Sequence, residues 1–400
     1  MNKYLSHQVK KVRSQSGFTI VEILVGLVLG VAILTAALNM QSQYKRGFKL
    51  SGNKLDMQTN AKFAFEYMGQ SLRSAGSLGC KNSQILQGES DVISDGCYGG
   101  VCIDFNIPAV AYADFRPGFE IKGYEYTGAG ATAPGLPADF SFVASGFNND
   151  DSDVISVSGG FGEVYNLSSE QYLVATDTGF NLEMSGPVNV RLKQSQYGML
   201  TSCYGAKVFK VTNSDASIAT GSIQWGSGGG ADDNALGQLG KKGLSLVGSG
   251  NQREFRRAAV TTYFVGMDPL GDANGVPTLY QDVDGVSSRL IEGVEEMHIL
   301  YGLSEDPKVR NVADRYVTAD VIDAETTATN NKWASIVSVR IGLIMRSIDP
   351  VFKSPQAQNK NLACVNYTQT TKTDRFARST YCTEVSVRNR LVGSRIGDKV

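Results

Sequence analysis

The chain has 400 residues, with 38 Lys plus Arg against 39 Asp plus Glu. That length exceeds what one ordinary core needs, so the expectation is two lobes or one heavily inserted domain. Setting the basic first seventeen residues aside leaves a weakly acidic remainder, which argues against a large nucleic-acid-binding surface, and 44 Gly beside 10 Pro, with many Tyr, Thr, Ser and Val, point to a β-rich part with many turns.

The first seventeen residues hold Lys3, Lys10, Lys11 and Arg13 and no acid; the remainder carries 34 basic against 39 acidic residues. Residues 18–40 read FTIVEILVGLVLGVAILTAALNM, about one bilayer thickness of helix with a single charge, Glu22. Basic residues ahead of the span place residues 1–17 in the cytoplasm and the rest outside. A secretory signal would have a shorter apolar core and a small-residue cleavage site after it. Here the run is long, and the polar-to-apolar junction is SGFTIVE. A carboxylate inside the run costs a few kcal/mol on insertion scales, so Glu22 needs a partner or a function. Gly26 and Gly30 form a small-xxx-small pair that allows close helix approach.

The junction resembles the signal of prepilins: a short basic leader, Gly17, Phe18, Thr19 and a Glu, here Glu22, five positions into the mature chain. The resemblance implies cleavage between Gly17 and Phe18 by the prepilin peptidase and N-methylation of Phe18. The freed amine of one subunit would then neutralise the Glu22 carboxylate of a neighbour. An unpaired charge in such a bundle costs about 3–5 kcal/mol, so the pairing favours subunits docked in register. The competing reading is a Glu22 that reaches back to the nearby interface. Many major pilins have a Pro where this chain has Asn39, so no kink is expected there.

Beyond the span, Leu50, Met57, Ala61, Phe65, Met68 and Leu72 recur at helical spacing, which predicts an amphipathic continuation over 41–75 packed on a globular part. Residues 18–74 as one helix would measure roughly 85 Å, with Gly47 and Gly52 as points of softening. Strands are expected at 153–158, 200–212, 258–266, 278–283, 288–302, 337–345 and 383–387, with turns at Asp284-Gly285 and Asn274-Gly275. Within 337–345 the alternation of apolar and polar residues is broken only by Ile344. A Gly-rich stretch within 214–250 reads as a loop between an earlier and a later lobe of a globular domain over 76–400.

Several blocks resemble PilW-type minor pilins: KFAFEYMGQSLRSAGSLGC (62–80), TSCYGAKVFKVT (201–212), VTTYFVG (260–266), PTLYQDVDG (277–285), LIEGVEEMHILYG (290–302), WASIVSVRIGLIMRS (333–347) and EVSVRNR (384–390). The resemblance implies an α+β pilin-like fold, a long N-terminal helix on an enlarged antiparallel β-rich domain. It also implies a minor pilin that helps start type IV pilus assembly at or near the filament tip. The implied partners are other minor and major pilins, the prepilin peptidase, the inner-membrane assembly platform and a tip adhesin. The protein would reside in the inner membrane, then in the periplasm and the extracellular pilus. Alternatives are a minor pseudopilin of a type II secretion system, and a membrane-tethered module for adhesion or DNA uptake.

All six cysteines lie beyond residue 75, an arrangement that suits disulfides in an oxidising compartment; buried free thiols are the competing reading. Cys364 and Cys382 flank a polar excursion before the last strand and are the first expected pair. Cys97 with Cys102 would close a tight loop, leaving Cys80 to meet Cys203. The only histidines are His7 and His298, and the cysteines lack paired C-x2-C spacing, so no metal set, cofactor or catalytic constellation is expected. GQLGKKG (237–243) departs from a phosphate loop, and Asp282-x-Asp284-Gly285 lacks the acids of an EF-hand. Another calcium loop at 148–153 or 282–285 stays open beside plain β-turns. Arg253, Arg256 and Arg257 form a basic cluster read as a solvated loop.

Overall fold

The computed structural model describes residues 17, 19–77, 92–93, 97–98, 101–103, 118–125, 152–167, 173–176, 179–183, 192–201, 206–219, 222–226, 253–267, 275–305, 312–327 and 330–387. The chain divides into two compact units, Met1–Gly52 and Asn53–Val400. The second takes in all of 76–400, the expected globular region.

Helix α1, Ile20–Ser74, runs through Gly47 and Gly52 without a break. An added Cβ would meet nothing within 4 Å at either glycine. Every side chain described from Thr19 to Gly52 is exposed. From Met57 onward one stripe turns inward: Met57, Ala61, Ala64, Met68 and Leu72 are buried, whereas Leu50, expected on that stripe, is 43 % exposed. The helix ends where Ala75 bridges to Gly159 of the sheet.

Among the described residues the largest sheet has ten strands. They are β1 Val92–Ile93, β2 Cys97–Tyr98, β3 Val101–Ile103, β4 Ile121–Tyr124, β5 Val154–Leu167, β8 Tyr197–Thr201, β9 Ala206–Lys210, β11 Arg253–Met267, β12 Pro277–Val283 and β13 Val286–Glu292. Strand β11 is its spine, paired with β5 on one side and with β8 and β12 on the other. A second sheet orders β15 (Arg315–Val317), β14 (Val294–Leu303), β16 (Ile336–Arg346) and β21 (Arg378–Ser386). A third joins β6 (Leu173–Thr176), β7 (Gly179–Glu183) and β10 (Ser222–Gly226). The short helices α2 (Asp215–Ala219) and α3 (Ala319–Glu325) complete the frame. Thus 215–226, expected within a loop, holds a helix and a strand, while 227–250 lies outside the described residues.

Two expected strands are each two. The 288–302 run is broken at Gly293, where φ is +84°. Its N–H donates to the Pro277 carbonyl at 2.7 Å, and its own carbonyl accepts from Arg346 N–H at 2.7 Å. A Cβ there would sit 2.8 Å from the Arg346 oxygen, so glycine lets the chain pass from the first sheet to the second. The 200–212 run folds back on itself, with Thr201 of β8 opposite Ala206 of β9. Asp284-Gly285 forms the expected turn, with Asp284 at φ +53°. Gly275 is described and Asn274 is not.

In the larger described core cluster, Met57, Ala61, Ala64, Met68 and Leu72 of α1 join Val339, Ile341, Leu343 and Met345 of β16. The other face of β16 is covered as well. A strap formed by β18 (Asn361–Leu362), a 3-10 turn (Ala363–Val365) and β19 (Tyr367–Thr368) crosses it. Leu362 and Val365 pack there on Ile344. That second core explains why Ile344 departs from strict alternation.

Candidate functional site

The residues expected from the sequence to serve processing and assembly lie at and just before the start of α1. Gly17 is exposed, and Phe18 lies outside the described residues. Thr19 immediately precedes the helix and its Oγ1 accepts from Glu22 N–H at 3.2 Å. Thr19 therefore satisfies one of the donors a helix start leaves without partners. The spacing Thr-x-x-Glu is that of a capping box, of which this is one half. That signal is readable from the sequence, where Thr19 and Glu22 stand three residues apart at the start of the apolar run. Glu22 also stands in the first turn, where the helix dipole favours a negative charge. Gly26 and Gly30 each leave open space, with nothing within 4 Å of an added Cβ. The helix holds an 18-residue window with a mean hydropathy of 2.5, none of it buried, so it is long and apolar enough to cross a membrane. Ile20, Leu27, Ile33 and Leu34 are each at least 60 % exposed, a band that needs lipid or other helices to cover it.

The disulfide expected between Cys364 and Cys382 is present, with the Cα atoms 6.4 Å apart. It fastens the strap to β21. At its other end the strap meets β14, where Tyr367 stacks on His298 with ring centroids 3.5 Å apart. Gln369 donates to the buried Glu296 at 2.8 Å. Between these points the strap crosses Gly342, where an added Cβ would lie 3.0 Å from Val365 Cγ2. Cys97 faces Cys102 across the β2–β3 ladder. Cys80 and Cys203 lie outside the described residues.

Below the strap, Arg378 binds two carboxylates at once, Glu295 at 2.6 and 2.7 Å and Asp374 at 2.8 and 2.5 Å. Burial pulls the Arg378 guanidinium down, but its bonds to Asp374 and Glu295 outweigh that and hold it charged. The same bonds hold the Asp374 carboxyl below its usual range. This ion cluster was not foreseen, because its members lie 83 and 4 residues apart in the chain.

The other candidates resolve as framework. Asp282 accepts from Gly285 N–H at 2.8 Å and from Ser287 Oγ at 2.7 Å. Asp284 accepts from Val260 N–H and pairs with Arg257, both at 2.9 Å. Their carboxylates close a β-turn. Of the 148–153 stretch, 148–151 lie outside the described residues, and Asp153 is buried and accepts from Ile299 N–H at 2.7 Å. Arg256 pairs with Glu254 at 2.6 Å, so the expected solvated basic loop is instead strand β11 with paired cations at 256 and 257. Among the described residues no group of three or more His, Cys, Asp or Glu is arranged to hold a metal. The 237–243 stretch lies outside the described residues.

Residues 262–389 match the model of a family described as Type IV Pilus-assembly protein W. The match begins within β11 and takes in the second sheet, the strap and its disulfide. The resembling blocks at 62–80 and 201–212 lie outside it. Comparison with curated proteins and with solved structures gives no match.

Proposed function

We propose that this chain, a PilW-type type IV pilus protein by its match over residues 262–389, is a minor pilin that helps initiate the filament and sits at or near its tip. One observation carries the reading. The chain holds a 55-residue helix whose apolar first half is left uncovered by the described residues. A bilayer and a bundle of similar helices are two settings that would cover such a surface. A pilin occupies both in turn, as a single-span subunit first and a filament subunit later.

Processing would convert one setting into the other. Cleavage after Gly17 removes the basic leader and leaves an amine on Phe18. That amine can neutralise the Glu22 carboxylate of a neighbouring subunit, and Gly26 and Gly30 permit close approach of the helices. Beyond the membrane the helix has apolar residues on its outer side too. Leu55, Phe63 and Tyr67 are 63 %, 52 % and 46 % exposed while Met57, Ala61 and Met68 are buried. The match to a pilus-assembly family favours this reading over a secretion pseudopilin, with which the stem alone would be shared. The prepilin peptidase, the inner-membrane platform, other pilins and a tip adhesin are its partners in this reading.

Mass spectrometry of the subunit from sheared filaments tests the proposal. The expected chain starts at a methylated Phe18 and occurs in few copies. A start near residue 40, or an intact leader in assembled filaments, would overturn it.

A further inference from the structure

The segment just past the apolar span carries a charge pattern that the assembly reading leaves unused. Residues 41–52 read QSQYKRGFKLSG, with Lys45, Arg46 and Lys49 and no acid. Cations on this side offset the four that precede the span and so weaken the bias that orients it. A feature that works against orientation needs another use. Tyr44 and Phe48 are 65 % and 77 % exposed and stand one turn apart, on one face of the helix. Lys45 and Lys49, both exposed, line the adjoining stripe. Gly47 leaves a shallow groove between the rings, lined by Met40, Gln43, Tyr44, Phe48 and Ser51. With a 1.5 Å rise per residue, Tyr44 lies about 6 Å and Lys49 about 13 Å past Met40. The headgroup layer occupies roughly the first 5–8 Å outside the hydrocarbon, within reach of both rings and both flexible cations. Rings on one stripe and cations on the next are the chemistry of an anchor at a negatively charged interface.

We propose that Tyr44, Lys45, Phe48 and Lys49 form a site for acidic phospholipid headgroups in the outward-facing leaflet, which sets the depth of the unassembled subunit. The site rests on the reading of residues 18–40 as a membrane anchor. It gives the stem a hold at each end, Glu22 near one interface and the aromatic-basic stripe at the other. Subunits would leave the bilayer for the filament only when helix packing outweighs that hold.

The test is amide hydrogen exchange of the full chain in nanodiscs of phosphatidylcholine alone and in discs that also contain phosphatidylglycerol. Exchange over residues 41–52 is expected to slow about fivefold in the anionic discs, the scale of one basic residue at such a surface. The double variant Lys45→Gln, Lys49→Gln should lose that difference while residues 20–40 stay protected. Sodium phosphate added to the neutral discs should not reproduce the slowing, which separates a headgroup from a free anion. Equal exchange in both discs overturns the site. So does slowing by free phosphate alone, or slowing in neutral discs that grows with protein-to-disc ratio, which would give the stripe to a neighbouring copy. Rapid exchange over 20–40 in both discs would instead refute the anchor reading on which the site stands.

Discussion

Glu22 shows how one residue can carry two constraints. Its backbone N–H is held by Thr19, and its carboxylate sits in a run where a lone charge costs a few kcal/mol. Replacing it by Ala keeps the backbone bond and removes the charge. Glu22→Ala is therefore expected to be processed and inserted normally but to be lost from sheared filaments, as immunoblots of membrane and filament fractions would show. If the variant enters filaments at wild-type level, the pairing with a neighbouring amine is not what selects the subunit. Gly342 is a second telling position. The strap passes so near that a Cβ would lie 3.0 Å from Val365 and 3.3 Å from Leu362. Gly342→Ala is expected to cost about 1–3 kcal/mol by overpacking. A denaturation midpoint unchanged from wild type would show that the strap lifts freely.

Among the elements, the strap joins the last strand to the rest of the second sheet. Its disulfide spans 18 residues of chain, so opening it in Cys364→Ser, Cys382→Ser should cost about 2–4 kcal/mol of stability. Thermal unfolding with and without reductant measures this, and the double variant should no longer respond to reductant at that bond. The junction of β4 with α3 predicts a pH dependence. Burial pushes Glu125 from 4.5 up to about 7, opposed by the hydrogen bond from Ala319 and reinforced by Asp320. Tyr301 of β14 also faces this carboxylate, and Lys122 of β4 pairs with Asp323 of α3 beside it. A raised carboxyl contributes stability below its unfolded value that is lost as pH climbs through the folded one. Stability should then fall between about pH 4.5 and 7, and Glu125→Gln should flatten that window. Asp374, held low by Arg378, has the opposite sign: its contribution is present above the ordinary carboxyl range and is lost as pH falls below it. Denaturant midpoints across pH 3–8 separate the two arms. A Glu125→Gln profile that still falls from 4.5 to 7 would assign the slope elsewhere.

For the whole molecule, the proposed role ties copy number to the size of the second unit. That unit extends from Asn53 to Val400. Helical packing fixes a short rise per subunit, and a head of that size fits best where no further layer is stacked above it. Deleting the gene is expected to lower pilus number and motility while leaving filament diameter unchanged, as electron microscopy would show. Normal piliation without the protein, or its dominance in sheared filaments, would place it elsewhere.

The sequence by itself determined the long apolar helix, because hydropathy and the one charge within it are properties of a contiguous run and need no folded neighbour to be legible. The inward stripe of α1 at Met57, Ala61, Met68 and Leu72 was legible from spacing, although Leu50 of the same spacing is exposed, and Cys364 with Cys382 was the first expected of fifteen possible pairings. Only the tertiary structure decided where a run of strand-forming residues becomes two strands. The break at Gly293 depends on carbonyl and N–H partners at Pro277 and Arg346, distant in sequence. Only it showed that Ile344 and Gly342 face a second small core, since the strap that covers them starts some seventeen residues later in the chain. The Arg378 cluster was likewise invisible, because charges read in sequence order do not reveal which carboxylates a fold brings to one guanidinium. Local chemistry is written along the chain, whereas pairing between distant segments exists only once the core that aligns them has formed.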